Sequence, residues 1–518
     1  MAMQKNFPHQ FFRQITPLQR RKPMLLSPVF RIWWFSSAVL LMILMLQFAP
    51  RVYGSDLPDM GNPAGTLISL QEEKELGKEF MRNIRHSLTL VDDPVCNSYI
   101  SSLGHRLASQ IDTKDQTFTF FIVDDSSINA FAGPGGYIGV HTGLIKATNS
   151  ESELASVLAH EIAHVVQRHL VRQLESNQQM SISTMAAVIA AILLGKGNAD
   201  VTQAVIASSV AGSAQSQLSF SRQHEQEADR VGIEMLARAG YDPRSMANFF
   251  ETLQKANRFN MAGVPEFLLT HPVTTSRIAD ARGRAAQIPY HKKSETPSLD
   301  YQLFVARINY LEQQKSSANS EAITRAVRQK HHKLDFAGRY SHVLSLLTTK
   351  AFNKARKEIT QLIADDMLRI PYIVTQADIE IADQKPKAAL EHLAQALMLY
   401  PQNQILSLIY ANTLIQTGQA KNAMLALQDF VRNKNVENPI IYKTYATSAE
   451  QAGYQSEAYE AMADYDYAIG QVHMAIQHLN QAIKQHDTDA YRKLRLEARR
   501  EELKQEVVTN QSNNGEQH

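Results

Sequence analysis

Cysteine is almost missing from this chain: Cys96 stands alone among 518 residues. A single thiol cannot close an intramolecular disulfide or build a Cys-ligated zinc ribbon. Cys96 therefore reads as a small buried apolar side chain. Acidic residues are missing from residues 1–54, which carry seven basic ones: Lys5, Arg13, Arg20, Arg21, Lys22, Arg31 and Arg51. Without those seven, 46 basic residues face 51 acidic ones, so a formal charge of +2 becomes about −5. Nothing in that balance suggests a body built to bind nucleic acid. After residue 54 no apolar run reaches the roughly 20 residues that cross a bilayer. The longest pieces, 180–194 and 201–211, are separated by residues 195–200, which contain Gly195, Lys196 and Asp200. They read as a buried helical hairpin, with a lid or a membrane- or substrate-touching surface as the alternative.

The N-terminus supplies what the body lacks. Its basic region leads into an uncharged run over 32–50 with an apolar core at 38–46, then small residues before and at Gly54. This is the pattern of an export signal cleaved near Gly54, or of an uncleaved inner-membrane anchor. Either way the body is expected to be exported. No cysteine follows the run, which excludes a lipoprotein anchor. The length exceeds one compact core, and 44% hydrophobic with 20% charged residues is ordinary globular composition.

Residues 67–111 have helical spacing, opened by a capping box at Ser69 and Glu72. Residues 118–123 and 137–142 are β-branched and aromatic and read as strands. Between them 129–136 is a breaker-rich turn. Ser150 and Glu153 open another helix, and a further helix covers 221–239, ended by Gly240 and Pro243. Residues 287–298 look like a domain boundary. Beyond it Ala389, Leu393, Ala396 and Pro401, then Gly418 with Ala423, Gly453 with Ala458 and Gly470 with Ala475, keep the small-residue skeleton of tetratricopeptide repeats. The polar tail over 505–518 reads as disordered.

His160 and His164 are four apart, so a helix sets them on one face, where two imidazoles can converge on one metal. Glu161 lies beside them, placed to take a proton from metal-bound water. A catalytic metal needs a third protein ligand and an open position. The metzincin solution is absent, since Gln167 and Leu170 stand where that pattern needs glycine and histidine. Glu225 and Asp229 share one face of the 221–239 helix. Glu225 can ligate while Asp229 orients a ligand. His169 and His224 read as structural or exposed histidines, off the metal face.

Residues 129–136, 142–144, 153–155, 157–164, Glu225 with Asp229, and Thr270-His271-Pro272 together resemble the zinc endopeptidases that include HtpX and the CAAX prenyl proteases. With repeats following, the chain is similar to the periplasmic β-barrel assembly-enhancing proteases over nearly all of residues 65–485. The resemblance implies one zinc ion per chain on His160, His164 and Glu225. It implies Glu161 as general base and Asp229 as a second acidic active-site residue. It also draws His271 into the site, either as an oxyanion donor or as a fourth zinc ligand that holds the enzyme latent.

These readings give an α+β, mostly α protein: a zincin-like (gluzincin) metallopeptidase domain with a small sheet over 65–290, then an α-solenoid of repeats over 300–495. The expected function is zinc-dependent endopeptidase with a chaperone-like role in outer-membrane β-barrel assembly. The expected partners are unfolded or stalled barrel proteins, and the barrel-assembly machinery through the repeats. The alternative is mainly a chaperone or scaffold whose proteolysis is normally latent. Strand 137–142 is the expected surface on which an extended substrate adds.

Overall fold

The computed structural model describes residues 68–113, 116–174, 185–186, 189–190, 222–259, 265–290, 298–315, 335–367, 369–433, 436, 438–487 and 489–515. The N-terminal segment 1–54 and all but four positions of 180–212 lie outside the described residues. Helix α1 (Leu70–Ser87) starts at the expected capping box: Ser69 Oγ accepts from Glu72 N–H, and Glu72 accepts from Ser69 N–H at 2.7 Å. Helix α2 (Pro94–Ala108) follows with Pro94 in its first turn and Asp93 as its N-cap. Strand β1 (Thr119–Val123) and strand β3 (Tyr137–His141) pair in parallel, with Phe121 opposite Gly139.

The stretch 129–136, expected to be all turn, contains a short strand, β2 (Ala130–Ala132), antiparallel to β3. The sheet order is therefore β1-β3-β2. This corrects the expectation that 137–142 receives a substrate strand, because β3 is paired on both sides. The turn into β3 depends on Gly136. Its φ is +80°, and a Cβ there would fall 1.9 Å from the Thr117 carbonyl oxygen.

Helix α3 (Thr142–Ala147) leads to α4 (Glu151–Val166), capped by Ser150 and buried from Glu153 to Val165. A helix buried on every side is a core element. Around it stand α5 (His169–Leu174), α6 (Arg222–Ala239), α7 (Ser245–Phe259), α8 (Glu266–Thr270) and α9 (Thr275–Gln287). Gly232 lets α6 approach α4 closely, since a Cβ there would come within 3.3 Å of the Ala159–His160 backbone.

Helix α10 (Leu299–Lys315) joins the two halves. Tyr301, Phe304 and Ile308 enter the peptidase core, and Leu303 enters the core of the first repeat helices. Helices α11 (Phe336–Thr348), α12 (Phe352–Asp365), α13 (Ile370–Ala382), α14 (Pro386–Leu399), α15 (Gln404–Gln416), α16 (Ala420–Arg432), α17 (Ile440–Gln451), α18 (Gln455–Ala468) and α19 (Val472–Ile483) pack in consecutive pairs. The chain ends in α20 (Ala490–Gly515). The tail expected to be disordered from 505 is thus helical to Gly515. Leu496 and Leu503, two turns apart, are buried, and Glu506 pairs with Lys78 of α1 at 2.9 Å.

The repeats and the peptidase also meet through charge. Arg307 on α10 is buried and donates to both oxygens of Asp93 at 2.9 Å and to Asp378 on α13 at 3.1 Å. Val95 of α2 packs in the α13–α15 core.

Candidate metal centre

His160, Glu161 and His164 sit on α4 with relative exposures of 1%, 0% and 2%. Glu225 and Asp229 face them from α6, and His271 arrives at the end of α8, where its N–H donates to Phe267 O and its ring stacks on Phe267 at 4.7 Å. The donor atoms converge. His160 Nε2 lies 3.0 Å from His164 Nε2 and 3.4 Å from His271 Nδ1. Glu225 Oε1 lies 2.9 Å from His271 Nδ1 and 3.4 Å from His164 Nε2. A tetrahedral ion bound at ~2.0–2.1 Å needs ligand atoms about 3.3 Å apart. These separations fit, with His271 Nδ1 at one vertex. Among the described residues this is the one cluster able to hold a metal ion.

The chemistry of the donors fits as well. Burial pulls the His164 imidazole down to about 3, which leaves it neutral with a lone pair. Burial also opposes charge on His160 and Glu225. For His160 the carboxylates of Asp229 and Glu225 outweigh it and push the ring up to about 10. For Glu225 the His271, His160 and His164 rings outweigh it and hold the carboxyl well below its usual range. A cation at the centre would replace the proton that His160 otherwise carries. Glu161 is the exception: burial raises its carboxyl, and among the described residues neither oxygen finds a hydrogen bond of good geometry. His271 Nε2 stands 3.7 Å from its Oε1.

Asp229 Oδ1 stands 3.0 Å from His160 Nδ1, on the far side of the ring from the cluster. Both of its oxygens accept from Arg277 at 2.8 Å. The same guanidinium reaches Glu225 Oε2 at 2.6 Å and donates to Pro272 O. Sequence reasoning misses Arg277. It lies 48 residues from Asp229, in the first turn of α9, and nothing local in the sequence marks it as a partner.

His169 stays outside the donor group, as its offset from His164 suggests, but it does not continue the helix of His164. Arg168 adopts φ +52°, held by Glu73 at 3.0 Å and by Ile68 O at 2.6 Å. The chain restarts at His169, whose buried ring swings back so that its Nδ1 lies 3.0 Å from His164 Nδ1. His169 Nε2 meets Glu227 at 3.1 Å. With Nε2–H donating to Glu227, His169 Nδ1 accepts from His164 Nδ1–H, and His164 Nε2 is left bare toward the cluster. His224 stacks on His169 at 4.4 Å and stands outside the donor group.

This fold and site define a metalloendopeptidase: residues 94–285 match Peptidase family M48, and residues 380–435 match a tetratricopeptide repeat. The chain belongs to the family of the β-barrel assembly-enhancing proteases. It is 34% identical to the Beta-barrel assembly-enhancing protease of Escherichia coli K12 over 89% of this chain and 94% of that one. It is 36% identical to the Putative beta-barrel assembly-enhancing protease of Vibrio cholerae over 73% of this chain and 78% of that one. The mitochondrial metalloendopeptidase OMA1 of Arabidopsis thaliana is 33% identical over 29% of this chain and 28% of its own. Among the described residues no helix is long and apolar enough to cross a membrane.

Proposed function

We propose that the chain is a periplasmic zinc endopeptidase that acts on outer-membrane β-barrel precursors, aiding their assembly and degrading those that stall. Convergence of His160, His164, Glu225 and His271 at tetrahedral spacing carries the zinc assignment. The names of the relatives and the repeat domain support the client class. Zinc, when bound, supplies a polarised carbonyl and a water of lowered pKa. The residues do the rest. His160 and His164 are fixed by Asp229 and His169, so their Nε2 atoms stay aimed. Asp229 is an orienting group rather than a proton donor, because Arg277 and His160 occupy its oxygens. Glu161, dry and raised by burial, takes a proton and returns it to the leaving amine. Strand β2 is the sheet edge beside Glu161, whose carboxylate neighbours the Ala132 backbone. An extended substrate adds there, read through its backbone rather than its sequence.

His271 decides between an active and a latent enzyme. Four protein ligands form the closed arrangement of structural zinc, so a ligating His271 favours the latent reading in which chaperone work dominates. Zinc content and casein cleavage of three variants test the assignment. Glu161→Gln keeps zinc and loses cleavage, and Glu225→Ala loses zinc. His271→Ala keeps zinc and cleaves faster. Wild-type behaviour of Glu225→Ala removes the ligand set, and a large fall in His271→Ala with zinc retained makes His271 an oxyanion donor instead.

A further inference from the structure

We propose that the cavity between strand β1 and the repeats is an exosite that holds an extended polypeptide by its backbone and a carboxylate. This rests on the reading of the protein as a peptidase with polypeptide clients. The cavity, of about 800 Å³, is walled on one side by the end of α1, by α2 and by β1, and on the other by α15, α17 and α18. It is therefore made by both halves of the molecule. Helices α13, α15 and α17 lie against one another as the first members of successive pairs, and such stacked helices line the concave face of a solenoid.

Three observations select the occupant. The first is the sheet edge. Strand β1 is an edge strand, and among the described residues only its C-terminal end is covered, where Leu90 bridges Val123 and Val91 N–H donates to Ile122 O. Alternation along a strand then turns the N–H and C=O of Phe120 outward, beside the cavity that Thr119, Phe120 and Phe121 line. Unpaired edge groups of this kind are a template for an added strand. The second is the wall. Leu90, Phe118, Phe120, Ile405, Leu408 and Ile440 give apolar surface for alternate side chains of such a strand.

The third is a charge. Arg85 lines the cavity, its Nε sealed from solvent without a hydrogen bond, and no carboxylate pairs with it among the described residues. Its ionisable neighbours are the phenols of Tyr465 and Tyr137. Tyr137 pairs with Thr119, so Arg85 stands by the uncovered end of β1. The acidic residue of the lining, Asp92, is exposed and makes no ion pair with Arg85. A half-buried, unpaired guanidinium favours an anion, and a carboxylate matches its fork. The source is either the terminal carboxylate of the bound polypeptide or an Asp or Glu side group within the strand.

The test uses full-length Glu161→Gln protein, which does not consume its ligand, and three fluorescein-labelled ten-residue peptides of alternating Val, Thr and Tyr. One ends in a free carboxylate, one is amidated, and one is amidated with a central Asp. Anisotropy is expected to show binding of the first or the third at least tenfold tighter than the second. Arg85→Met and Arg85→Glu remove that preference, and Ser101→Trp, which fills the cavity without changing charge, weakens all three. A preference for the first alone identifies a terminal carboxylate, and for the third alone a side group. Equal binding of all three peptides, unaltered by the Arg85 variants and by Ser101→Trp, overturns the proposal. Casein cleavage by the wild-type protein scores the peptidase reading separately.

Discussion

Cutting the protein at residue 295 is expected to unfold the peptidase, although every proposed metal donor lies before that point. The spacing of breakers over 287–298 suggests a free-standing domain, but α10 contributes to the core on the far side of that boundary. Tyr301, Phe304 and Ile308 are buried to 5%, 2% and 0% exposure. Phe304 stacks on Tyr99 at 4.4 Å, and the Tyr301 hydroxyl donates to Thr148 O at 2.8 Å. Each such side chain is worth about 1.5–3 kcal/mol of burial, so losing the three removes about 5–9 kcal/mol. A domain holds only about 5–15 kcal/mol in all. Fragments 65–295 and 65–316 differ by little more than this helix. Circular dichroism melts of the two should place the shorter about 10 °C or more below the longer, or show no cooperative transition. A cooperative melt within about 5 °C of the longer fragment would refute the claim that α10 is part of the peptidase core.

Arg277→Met strips the counter-charge from two buried carboxylates, which costs about 3–5 kcal/mol in the metal-free protein. The loss in Tm should shrink when zinc is added, and a loss that zinc does not reduce would detach Arg277 from the site. His169→Ala should weaken zinc affinity about 10- to 100-fold in a chelator competition, because His164 loses the group that fixes its tautomer. His169→Gln, which still offers an acceptor, should recover part of it, and equal affinity in all three proteins would show that His169 is only packing. Asp93→Asn keeps the α2 cap, since asparagine also caps, but removes the charge facing Arg307. Burial opposes that charge, yet Arg307 holds the Asp93 carboxyl below its usual value. Its stabilisation is therefore complete above the unfolded value of about 3.9 and is lost as pH falls through the lower folded value. Urea melts of wild type and Asp93→Asn should differ at pH 7 and converge toward pH 3, and a constant difference would assign the effect to something other than the charge.

The candidate metal-binding residues were legible because their spacing is periodic. The four-residue spacings of His160 with His164 and of Glu225 with Asp229 each set two side chains on one helical face, and the structure brings both pairs together. Helix starts were legible from Ser69 and Ser150 for the same local reason. What escaped was non-local or irregular. Strand β2 is three residues long, too short for an alternation to register beside Gly133, Pro134, Gly135 and Gly136. Arg277 acts across 48 residues. His169 depends on a left-handed turn at Arg168, which glycine would advertise but arginine does not. That conformation is held by Glu73, 95 positions away.

The sheet ties the two proposed binding edges together. Strand β3 hydrogen-bonds to β1 on one side and to β2 on the other. Two strand spacings of about 4.8 Å therefore set the edges roughly 10 Å apart. Movement of β1 relative to β2 would require breaking the ladder that Gly139 centres, where Phe121 and Phe131 close over it from the two neighbouring strands. The edge by the cavity and the edge by Glu161 are thus parts of one rigid element. A polypeptide held at the first gains no reach from motion within the sheet, so it must pass around the sheet to be cut at the second. A single polypeptide that occupies both edges needs enough unfolded length for that path, whereas a folded or short one can occupy only one. Such a requirement would select long, unfolded polypeptides for cleavage by length and disorder.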